Sequence, residues 1–305
     1  MEEDRSIHIA LAADRKYLPF AAIAVASAAA NASRPVIIHF LHEDLSDREL
    51  QVFDFLKQFP QSSLAVHRIG DAFFRSWPAM RWSRAIYYRL ILPDLLPDLE
   101  KIIYLDSDLL VLRDPAELYD TGFDGSSCMA VVTKVAREHA ELLGIPPERY
   151  FNSGVLVFSP AEWKRTGCVD RFKQCISEYG DRLKYPDQDI LNLVFQNSVR
   201  FLHPRWNVIT STFRNEPVPC YSAQEVTDAL AHPGIVHFTG SHKPWRLRKT
   251  FRHPYSLAMR KYAKIAGQDA LARRLFVKSL FLPDFAEPVK KLPWDSSVID
   301  RTLLR

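Results

Sequence analysis

The chain has 305 residues, of which 47% are apolar, 25% charged and 12% aromatic. This composition is that of a globular protein and excludes a disordered, collagenous or coiled-coil chain. The net charge of +4 conceals an uneven distribution, because residues 241–305 carry 15 Lys and Arg against 5 Asp and Glu. The rest of the chain is therefore mildly acidic. A strongly basic tail on such a body indicates an anionic surface as the partner of the tail.

Cysteine spacing and hydrophobic runs indicate the compartment. The four cysteines, at 128, 168, 175 and 220, form neither a CxxC pair nor a zinc-ligand pattern, so we expect reduced thiols in a cytoplasmic protein. The apolar segment 17–30 follows an acidic leader and the charged residues Asp14, Arg15 and Lys16. It does not resemble a signal peptide, and it is too short to cross a bilayer as a helix.

Apolar periodicity predicts alternating strands and helices. Strands are expected at 6–13, 36–41, 64–69, 101–105, 128–133, 154–158 and 235–238, and helices at 18–30, 46–59, 84–92, 161–179 and 187–196. This alternation is typical of an α/β fold, with a mostly parallel sheet flanked by helices. A change in composition near Ser241 divides the chain into a catalytic domain, 1–245, and a basic, apolar C-terminal helical tail, 246–305.

Two carboxylates one residue apart, Asp106 and Asp108, directly follow the predicted buried strand KIIYL. Ligands of open α/β sheets bind at the carboxyl ends of strands, and carboxylate oxygens suit Mg²⁺ or Mn²⁺. An isolated Asp-x-Asp pair is more often a solvated turn, and an isolated His237 in its apolar run would be a core histidine. Beside a carboxylate-bound metal, His237 would be a third ligand, and its nitrogen favours Mn²⁺.

Three further segments carry polar side chains that suit a ligand. Asp187 is interpreted either as the N-cap of a helix or, with Gln188, as a partner of sugar hydroxyls in the cleft. Asn152 stands in a predicted glycine turn at the edge of the sheet. Gly240 permits close approach of the backbone, and Lys243 offers a positive charge that suits phosphate.

Together, the ordered motifs LAAD, YYRL, YLDSDLLV, FNSGVLVF, YPDQDILN and HFTGSHKPW resemble glycosyltransferase family 8 from about Ile7 to Trp245. Each motif is weak alone, but the whole set in the family's order and spacing is specific. The resemblance is closest to the bacterial lipooligosaccharide α-galactosyltransferases. It implies a GT-A fold, a UDP-sugar donor, retention of configuration and Mn²⁺, for which Mg²⁺ could substitute.

The resemblance also implies roles for single residues. Asp106, Asp108 and His237 would hold the metal that bridges the donor diphosphate, which Gly240 and Lys243 would contact. Gln188 would lie near the anomeric carbon, on the face opposite the leaving group. Asp14 would bond to the uracil ring, and Tyr17 would pack on that base. Arg89 and Asn152 would contact hydroxyl groups of the sugar, and Asp187 would also bind the sugar. The other implied donor-site residues are Ala12, Lys16 and Ser107.

Departure of UDP develops negative charge on phosphate oxygens and positive charge on the sugar ring, so electrostatic stabilisation suffices without a proton donor. Gln188 is a poor nucleophile because a neutral amide is weakly basic. We therefore expect front-face attack by the acceptor hydroxyl, with Gln188 stabilising the cationic sugar. Double displacement with Asp187 or Asp189 as the nucleophile is the alternative.

The basic tail has two interpretations. Its charges alternate with apolar side chains, as in an interfacial helix on anionic lipid, and Gly267 is expected to split that helix. A helix packed on the body with solvated charges is equally compatible. The first interpretation predicts peripheral attachment to the inner face of the cytoplasmic membrane. No zinc-finger or helix-turn-helix pattern is present, so we expect no nucleic-acid partner.

Two other functions remain open from the sequence. One is a membrane- or polyanion-binding protein with a vestigial UDP-sugar pocket. The other is a glycogenin-like enzyme that glycosylates itself, for which the tail offers Tyr255 and Tyr262. The sequence does not distinguish galactose from glucose as the donor sugar, nor does it identify the saccharide or glycolipid acceptor.

Overall fold

The computed structural model describes residues 5–78, 84–133, 137–214, 218, 220–240, 243–246 and 253–281. Within these ranges the chain forms strands, most of which are largely buried. The strands are β1 (Ile7–Ala12), β2 (Val36–His42), β3 (Ser62–Arg68), β4 (Ile102–Leu105), β5 (Leu109–Val111), β6 (Cys128–Val132), β7 (Phe151–Phe158), β8 (Val199–Phe201), β9 (Val208–Ile209) and β10 (Ile235–His237).

Helices occupy most of the connections between these strands. They are α1 (Leu18–Asn31), α2 (Asp47–Leu50), α3 (Asp71–Phe74), α4 (Leu92–Leu95), α5 (Pro115–Tyr119), α6 (Arg137–Leu142), α7 (Pro160–Arg165), α8 (Cys168–Tyr179), α9 (Pro186–Phe195), α10 (Ala223–Ala231), α11 (Ser256–Ile265) and α12 (Asp269–Phe281). Short 3₁₀ helices lie at Gln51–Gln58, Arg84–Ile91, Pro147–Arg149, Gly180–Arg182, Pro204–Asn207 and Thr212–Arg214.

The described strands form two sheets. The large sheet has seven strands in the order β3-β2-β1-β4-β7-β6-β8, and a small sheet has the order β5-β10-β9. In the large sheet β7 runs against its neighbours β4 and β6, whereas the other described pairs are parallel. The predicted mostly parallel α/β sheet is thus confirmed, with β7 as its antiparallel member.

Apolar clusters cover both faces of the large sheet. Successive residues of a strand point to opposite faces, and in β1 Ile9 and Leu11 join the cluster that contains α1, whereas Ala10 joins the cluster that contains α8 and α9. Burial on both faces explains the nearly continuous apolar sequence of the central strands. The carboxyl ends of β1 and β4, which pair in parallel, consequently meet at one edge of the sheet.

Several predicted elements have different limits in the structure. The helix predicted over 161–179 is divided into α7 and α8 by Gly167, whose φ is +67°. The predicted turn at Asn152 is wrong, because that residue lies inside β7. The N-cap interpretation of Asp187 is also wrong, since α9 begins at Pro186 and Tyr185 precedes it. Proline is favoured at a first helical position because its missing N–H would be unpaired there.

The described part of the basic tail packs on the body through α11. This helix lies against α1, and Met259, Tyr262 and Ala263 are buried in the α1 cluster. Asn31 Nδ2 donates to the Tyr262 hydroxyl across 2.8 Å. As predicted, Gly267 separates α11 from α12. Among the described residues no helix combines the length and apolarity needed to cross a bilayer, and the four cysteines are free thiols.

Candidate active site

The two sheets bring Asp106, Asp108 and His237 together. Asp106 follows β4, and its backbone N–H donates to the Gly154 carbonyl of β7 across 2.8 Å. Asp108 precedes β5, which pairs with β10, and the Asp108 carbonyl accepts from Phe238 N at 2.8 Å. This register places the last residue of β10, His237, beside the acid pair. The cluster therefore depends on the pairing of segments far apart in the chain.

The geometry of the cluster fits a divalent cation. His237 Nε2 lies 3.1 Å from Asp108 Oδ1 and 3.5 Å from Asp106 Oδ2. The ligand atoms of the three residues lie within 4.8 Å of one another. Two carboxylate oxygens and one imidazole nitrogen form a donor set that Mn²⁺ accepts. The site is a possible metal site, and the prediction that these three residues meet is confirmed.

Gly154 makes room for this arrangement. A Cβ atom at this position would lie 2.2 Å from Cε1 of His237 and 2.7 Å from Oδ2 of Asp106. Real Cβ atoms do not approach other atoms so closely, so any larger residue would push the imidazole or the carboxylate away. Glycine in a strand interior often marks such a close approach. Its presence in β7 is thus explained by the site and not by a turn.

Lys243 lies on the other side of Asp108. Its Nζ bonds to Asp108 Oδ2 and donates to the Phe238 carbonyl across 2.7 Å. Burial alone would raise the pKa of Asp108, but His237 and Lys243 hold it well below its usual value. Gly240, with φ +68°, turns the chain between His237 and Lys243. A cation buried this close to the cluster is well placed to meet an anionic ligand.

Arg89 ties the acid pair to α9. Its Nη2 lies 2.7 Å from Asp106 Oδ1 and its Nη1 lies 3.1 Å from Asp187 Oδ2. Nη1 also donates to the Ser153 carbonyl at 2.7 Å, and the guanidinium carbon stands 4.4 Å from the centre of the Tyr104 ring. Burial raises the pKa of Asp187 despite the attraction of Arg89. Arg89 is therefore held in place by groups from β4, β7 and α9 and from the residue that follows β4.

Gln188 belongs to a second group of polar side chains. Its Oε1 accepts from Asn152 Nδ2 at 2.8 Å and from Ser153 N at 3.3 Å. Its Nε2 donates to the Tyr150 hydroxyl at 3.1 Å. The amide plane is thus fixed at both ends. Gln188 is half-buried, and its partner Asn152 also accepts from the backbone N–H of Gly154, the residue next to His237 and Asp106.

Asp189 is directed into the protein. Its side chain is fully buried, and Oδ2 accepts from the backbone N–H groups of Lys184 and Tyr185 at 2.8 and 2.9 Å. Oδ1 accepts from the Tyr150 hydroxyl and lies 3.0 Å from His139 Nε2. Both oxygens are therefore engaged. In this geometry Asp189 anchors Tyr150, and the structure does not bring it to the Asp106–Asp108–His237 cluster.

The predicted uridine-side residues lie at the adjoining end of β1. Ser107 Oγ donates to the Ala12 carbonyl at 3.1 Å, which joins the two strand ends. Asp14 is exposed, and its Oδ1 accepts from Tyr17 N at 2.8 Å at the start of α1. Lys16 is exposed and Tyr17 is half-buried. These residues stand at the same sheet edge as the carboxylates, because β1 and β4 are parallel neighbours.

Sequence reasoning missed several residues that hold this site together. Tyr150, Ser153 and Asn207 contact predicted site residues, yet none follows a spacing rule that marks it. Gly154 gives a signal, because it is an isolated glycine at the start of an apolar run, although the segment before it is typical of a turn. The remaining contacts depend on tertiary packing and have no local pattern.

Fold and site together define an α/β protein with a possible carboxylate–histidine metal site at a sheet edge. The sequence profile described as "Glycosyl transferase family 8" matches residues 8–248. The chain therefore belongs to glycosyltransferase family 8 and is a glycosyltransferase.

Relatives and solved structures agree with this assignment. General stress protein A of Bacillus subtilis is 31% identical over 180 residues, which span 57% of this chain and 62% of that protein. A lipopolysaccharide 1,2-glucosyltransferase of Escherichia coli is 27% identical over 257 residues, 80% of this chain and 75% of its own length. The crystal structure of the galactosyltransferase LgtC with donor and acceptor sugar analogues aligns with a TM-score of 0.72. Its sequence is 22% identical, and the alignment covers 86% of this chain and 96% of LgtC. That likeness places the fold in the GT-A class.

Proposed function

We propose that this enzyme transfers glucose or galactose from a UDP-sugar to a saccharide or glycolipid acceptor with retention of configuration, in lipopolysaccharide or other surface-glycan synthesis. The observation that carries the proposal is the convergence of Asp106, Asp108, His237 and Lys243 at one point of the sheet edge. The names of the Escherichia coli relative and of LgtC support a hexose donor, one with glucose and the other with galactose.

The leaving group is a diphosphate, and the site supplies positive charge where its negative charge develops. Asp106, Asp108 and His237 would hold Mn²⁺, with Mg²⁺ as a substitute, and the bound cation would supply positive charge that stabilises the departing UDP. Lys243 adds a buried ammonium group beside Asp108, and Gly240 lies three residues before it in the chain. Preorganised charge in a shielded site stabilises a leaving group without a proton donor.

The sugar would lie between this cluster and α9. In the proposed front-face route, Gln188 stabilises the cationic ring by its amide dipole, with Tyr150 and Asn152 fixing its orientation. Asp187 and Asn152 bind hydroxyl groups. Arg89 contributes by holding Asp187 and Asp106 in place. Since both oxygens of Asp189 are engaged inside the protein, we assign that residue to the support of Tyr150 and not to nucleophilic attack.

The nucleoside would lie over the adjoining strand end. We propose that Asp14 accepts a hydrogen bond from the uracil ring and that Tyr17 packs on it, with Ala12, Lys16 and Ser107 lining the same region. The parallel pairing of β1 with β4 supports this placement, because it brings the segment that follows β1 to the same sheet edge as the carboxylates.

We further propose that the tail attaches the enzyme to the inner face of the cytoplasmic membrane. Arg273 and Arg274 are exposed on α12, and Phe276 and Val277 of the same helix are 39% and 52% exposed. Basic and apolar groups together bind anionic lipid surfaces. Self-glycosylation gains no support at Tyr262, whose hydroxyl is buried against Asn31. In this proposal 1–245 is the catalytic domain and 246–305 the attachment segment.

A donor screen tests the proposed function. Release of UDP would be measured for UDP-glucose, UDP-galactose and two other UDP-sugars, each with Mn²⁺ or with EDTA. We expect release from one of the two hexose donors, with at least a hundredfold loss in EDTA. A vestigial pocket predicts no release from any donor above the rate without enzyme.

A further inference from the structure

Asn207 is a buried polar residue that none of the matching motifs contains. It ends the 3₁₀ helix Pro204–Asn207, directly before β9, and is 2% exposed. The turn is held firmly, because Trp206 packs against Gly234 so closely that a Cβ there would lie 2.7 Å from its ring. Gly234 N also donates to the Arg205 carbonyl across 2.8 Å. The backbone therefore presents the Asn207 amide in one position.

The Asn207 amide stands between the metal site and the sugar site. Its Oδ1 lies 3.0 Å from Nδ1 of His237, and its Nδ2 donates to Asn152 Oδ1 across 2.9 Å. The same Asn152 oxygen accepts from the backbone N–H of Gly154 at 3.0 Å. At its other end Asn152 Nδ2 donates to Gln188 Oε1 at 2.8 Å. One row of amides thus runs from the imidazole to Gln188.

The direction of every hydrogen bond in this row follows from one backbone group. A peptide N–H can only donate, so the Asn152 atom that faces Gly154 N must be the carbonyl oxygen. The Asn207 atom facing that oxygen must then be the NH₂ group, which leaves the Asn207 oxygen facing Nδ1 of His237. Nδ1 must therefore carry a hydrogen, whether the ring is neutral or charged. When the ring is neutral, Nε2 is left with its lone pair.

We propose that Asn207 is a positioning residue that fixes the His237 ring with a proton on Nδ1, so that Nε2 faces Asp106 and Asp108 as a ligand. Outer groups that bind the second ring nitrogen of a ligating histidine set its tautomer and raise its basicity, and their loss typically weakens metal binding 10–100-fold. Through Asn152, the same amide orients Gln188. The inference rests on the proposed metal site and adds the residue that orients its imidazole.

Mn²⁺ binding to the protein without donor tests the inference, with free Mn²⁺ followed by electron paramagnetic resonance. Asn207→Leu removes the acceptor of the Nδ1 hydrogen, and we expect the Mn²⁺ dissociation constant to rise roughly tenfold. The matched control is Asn31→Leu, which removes the amide that bonds to Ser27, Val111 and Tyr262. It should lower stability while Mn²⁺ affinity stays within twofold. A wild-type dissociation constant in folded Asn207→Leu would overturn the inference.

Asn207→Asp tests the contact with His237 separately from the contact with Asn152. It also replaces the leucine variant in the test if that variant does not fold. Its carboxylate still accepts from Nδ1, so Mn²⁺ affinity should match or exceed that of the wild type. It no longer donates to Asn152 Oδ1, so UDP release should slow at least tenfold. A tenfold loss of Mn²⁺ affinity in this variant, or unchanged UDP release, contradicts the inference. Absence of Mn²⁺ binding to the wild type instead removes the proposed metal site itself.

Discussion

The Arg89 guanidinium joins Asp106, which follows β4, to α9, with Nη2 2.7 Å from the Asp106 carboxylate and Nη1 3.1 Å from Asp187. Arginine stays charged in proteins, and its planar fork can serve two acceptors at fixed angles. Burial alone would lower the pKa of Arg89, but attraction by the two carboxylates raises it. One cation therefore balances part of the negative charge of two carboxylates that belong to segments far apart in the chain.

Arg89→Met should leave Asp187 buried without its cationic partner. Breaking a buried ion pair from one side typically costs about 3–5 kcal/mol, and we expect a loss of about 3 kcal/mol in the free energy of unfolding. UDP release should fall at least a hundredfold. Urea unfolding and donor kinetics measure the two effects. The control is Arg165→Met, since Arg165 pairs with Glu162 at the surface. Equal stability of both variants would contradict the buried bridge.

Gly154→Ala should damage the metal site more than the fold. The added Cβ would meet His237 at 2.2 Å, so the imidazole must move away from the carboxylates. We expect Mn²⁺ affinity to fall at least tenfold while circular dichroism stays that of the wild type. Gly70→Ala is the matched control, because nothing lies within 4 Å of a Cβ at Gly70. Wild-type Mn²⁺ binding by Gly154→Ala would show that the close approach does not constrain the site.

The pattern of buried strands made the fold predictable, but the details of the site depend on tertiary contacts. Central strands buried on both faces leave long apolar runs in the sequence, so these strands and the position of the acid pair at the end of one of them could be predicted. The direction of β7 could not, because it has the same apolar pattern in either direction. Two segments next to glycines differ from the prediction, since Gly167 divides the helix predicted over 161–179 and β7 already begins at Phe151, where a turn before Gly154 is predicted.

The side chains that orient the site were the hardest to predict. Asn207 follows a proline-initiated 3₁₀ turn, and its sequence neighbours give no sign of a ligand. It reaches His237 only because β9 and β10 pair in parallel. Asp189 differs from the prediction in the opposite way. Its position beside Gln188 in the sequence predicts a side chain that reaches the sugar, whereas α9 directs this side chain into the protein interior.

Three stacked histidines across β1, β2 and β3 should make stability depend on pH. His39 Nε2 lies 3.0 Å from His8 Nδ1, and His39 Nδ1 lies 3.0 Å from His67 Nε2. Burial, with repulsion from both neighbours, lowers the pKa of His39 to about 4. The unfolded chain, with a histidine pKa of about 6.5, binds more protons below that pH. The part of the folding stability that depends on neutral His39 is therefore fully present above pH 6.5 and is lost as the pH falls toward 4.

Urea unfolding at pH 7 and pH 5 measures this effect. We expect the free energy of unfolding of the wild type to fall by roughly 1–2 kcal/mol over this interval from His39. In His39→Gln the fall in the free energy of unfolding between pH 7 and pH 5 should be smaller by that amount, whatever the stability of the variant at pH 7. Parallel pH dependences for the two proteins would show that His39 does not titrate in this way.

Reversal of two charges on α12 tests membrane attachment. Truncation after Trp245 is unsuitable, because it removes the α11 residues that complete the α1 core. Arg273→Glu with Arg274→Glu instead alters exposed positions, and each basic residue near an anionic surface contributes about 1 kcal/mol. We expect at least a tenfold loss of sedimentation with phosphatidylserine vesicles at low salt. Arg165→Glu is the control on the body. Unchanged sedimentation of the double variant contradicts attachment through α12.

Equilibrium binding of UDP tests the central claim, that Asp106, Asp108 and His237 hold one divalent cation beneath the donor diphosphate. Calorimetry would compare the wild type and Asp108→Ala, each with Mn²⁺ and with EDTA. We predict that Mn²⁺ strengthens UDP binding to the wild type at least tenfold and leaves binding to Asp108→Ala unchanged. Equal strengthening by Mn²⁺ in both proteins would place the metal elsewhere and contradict the account.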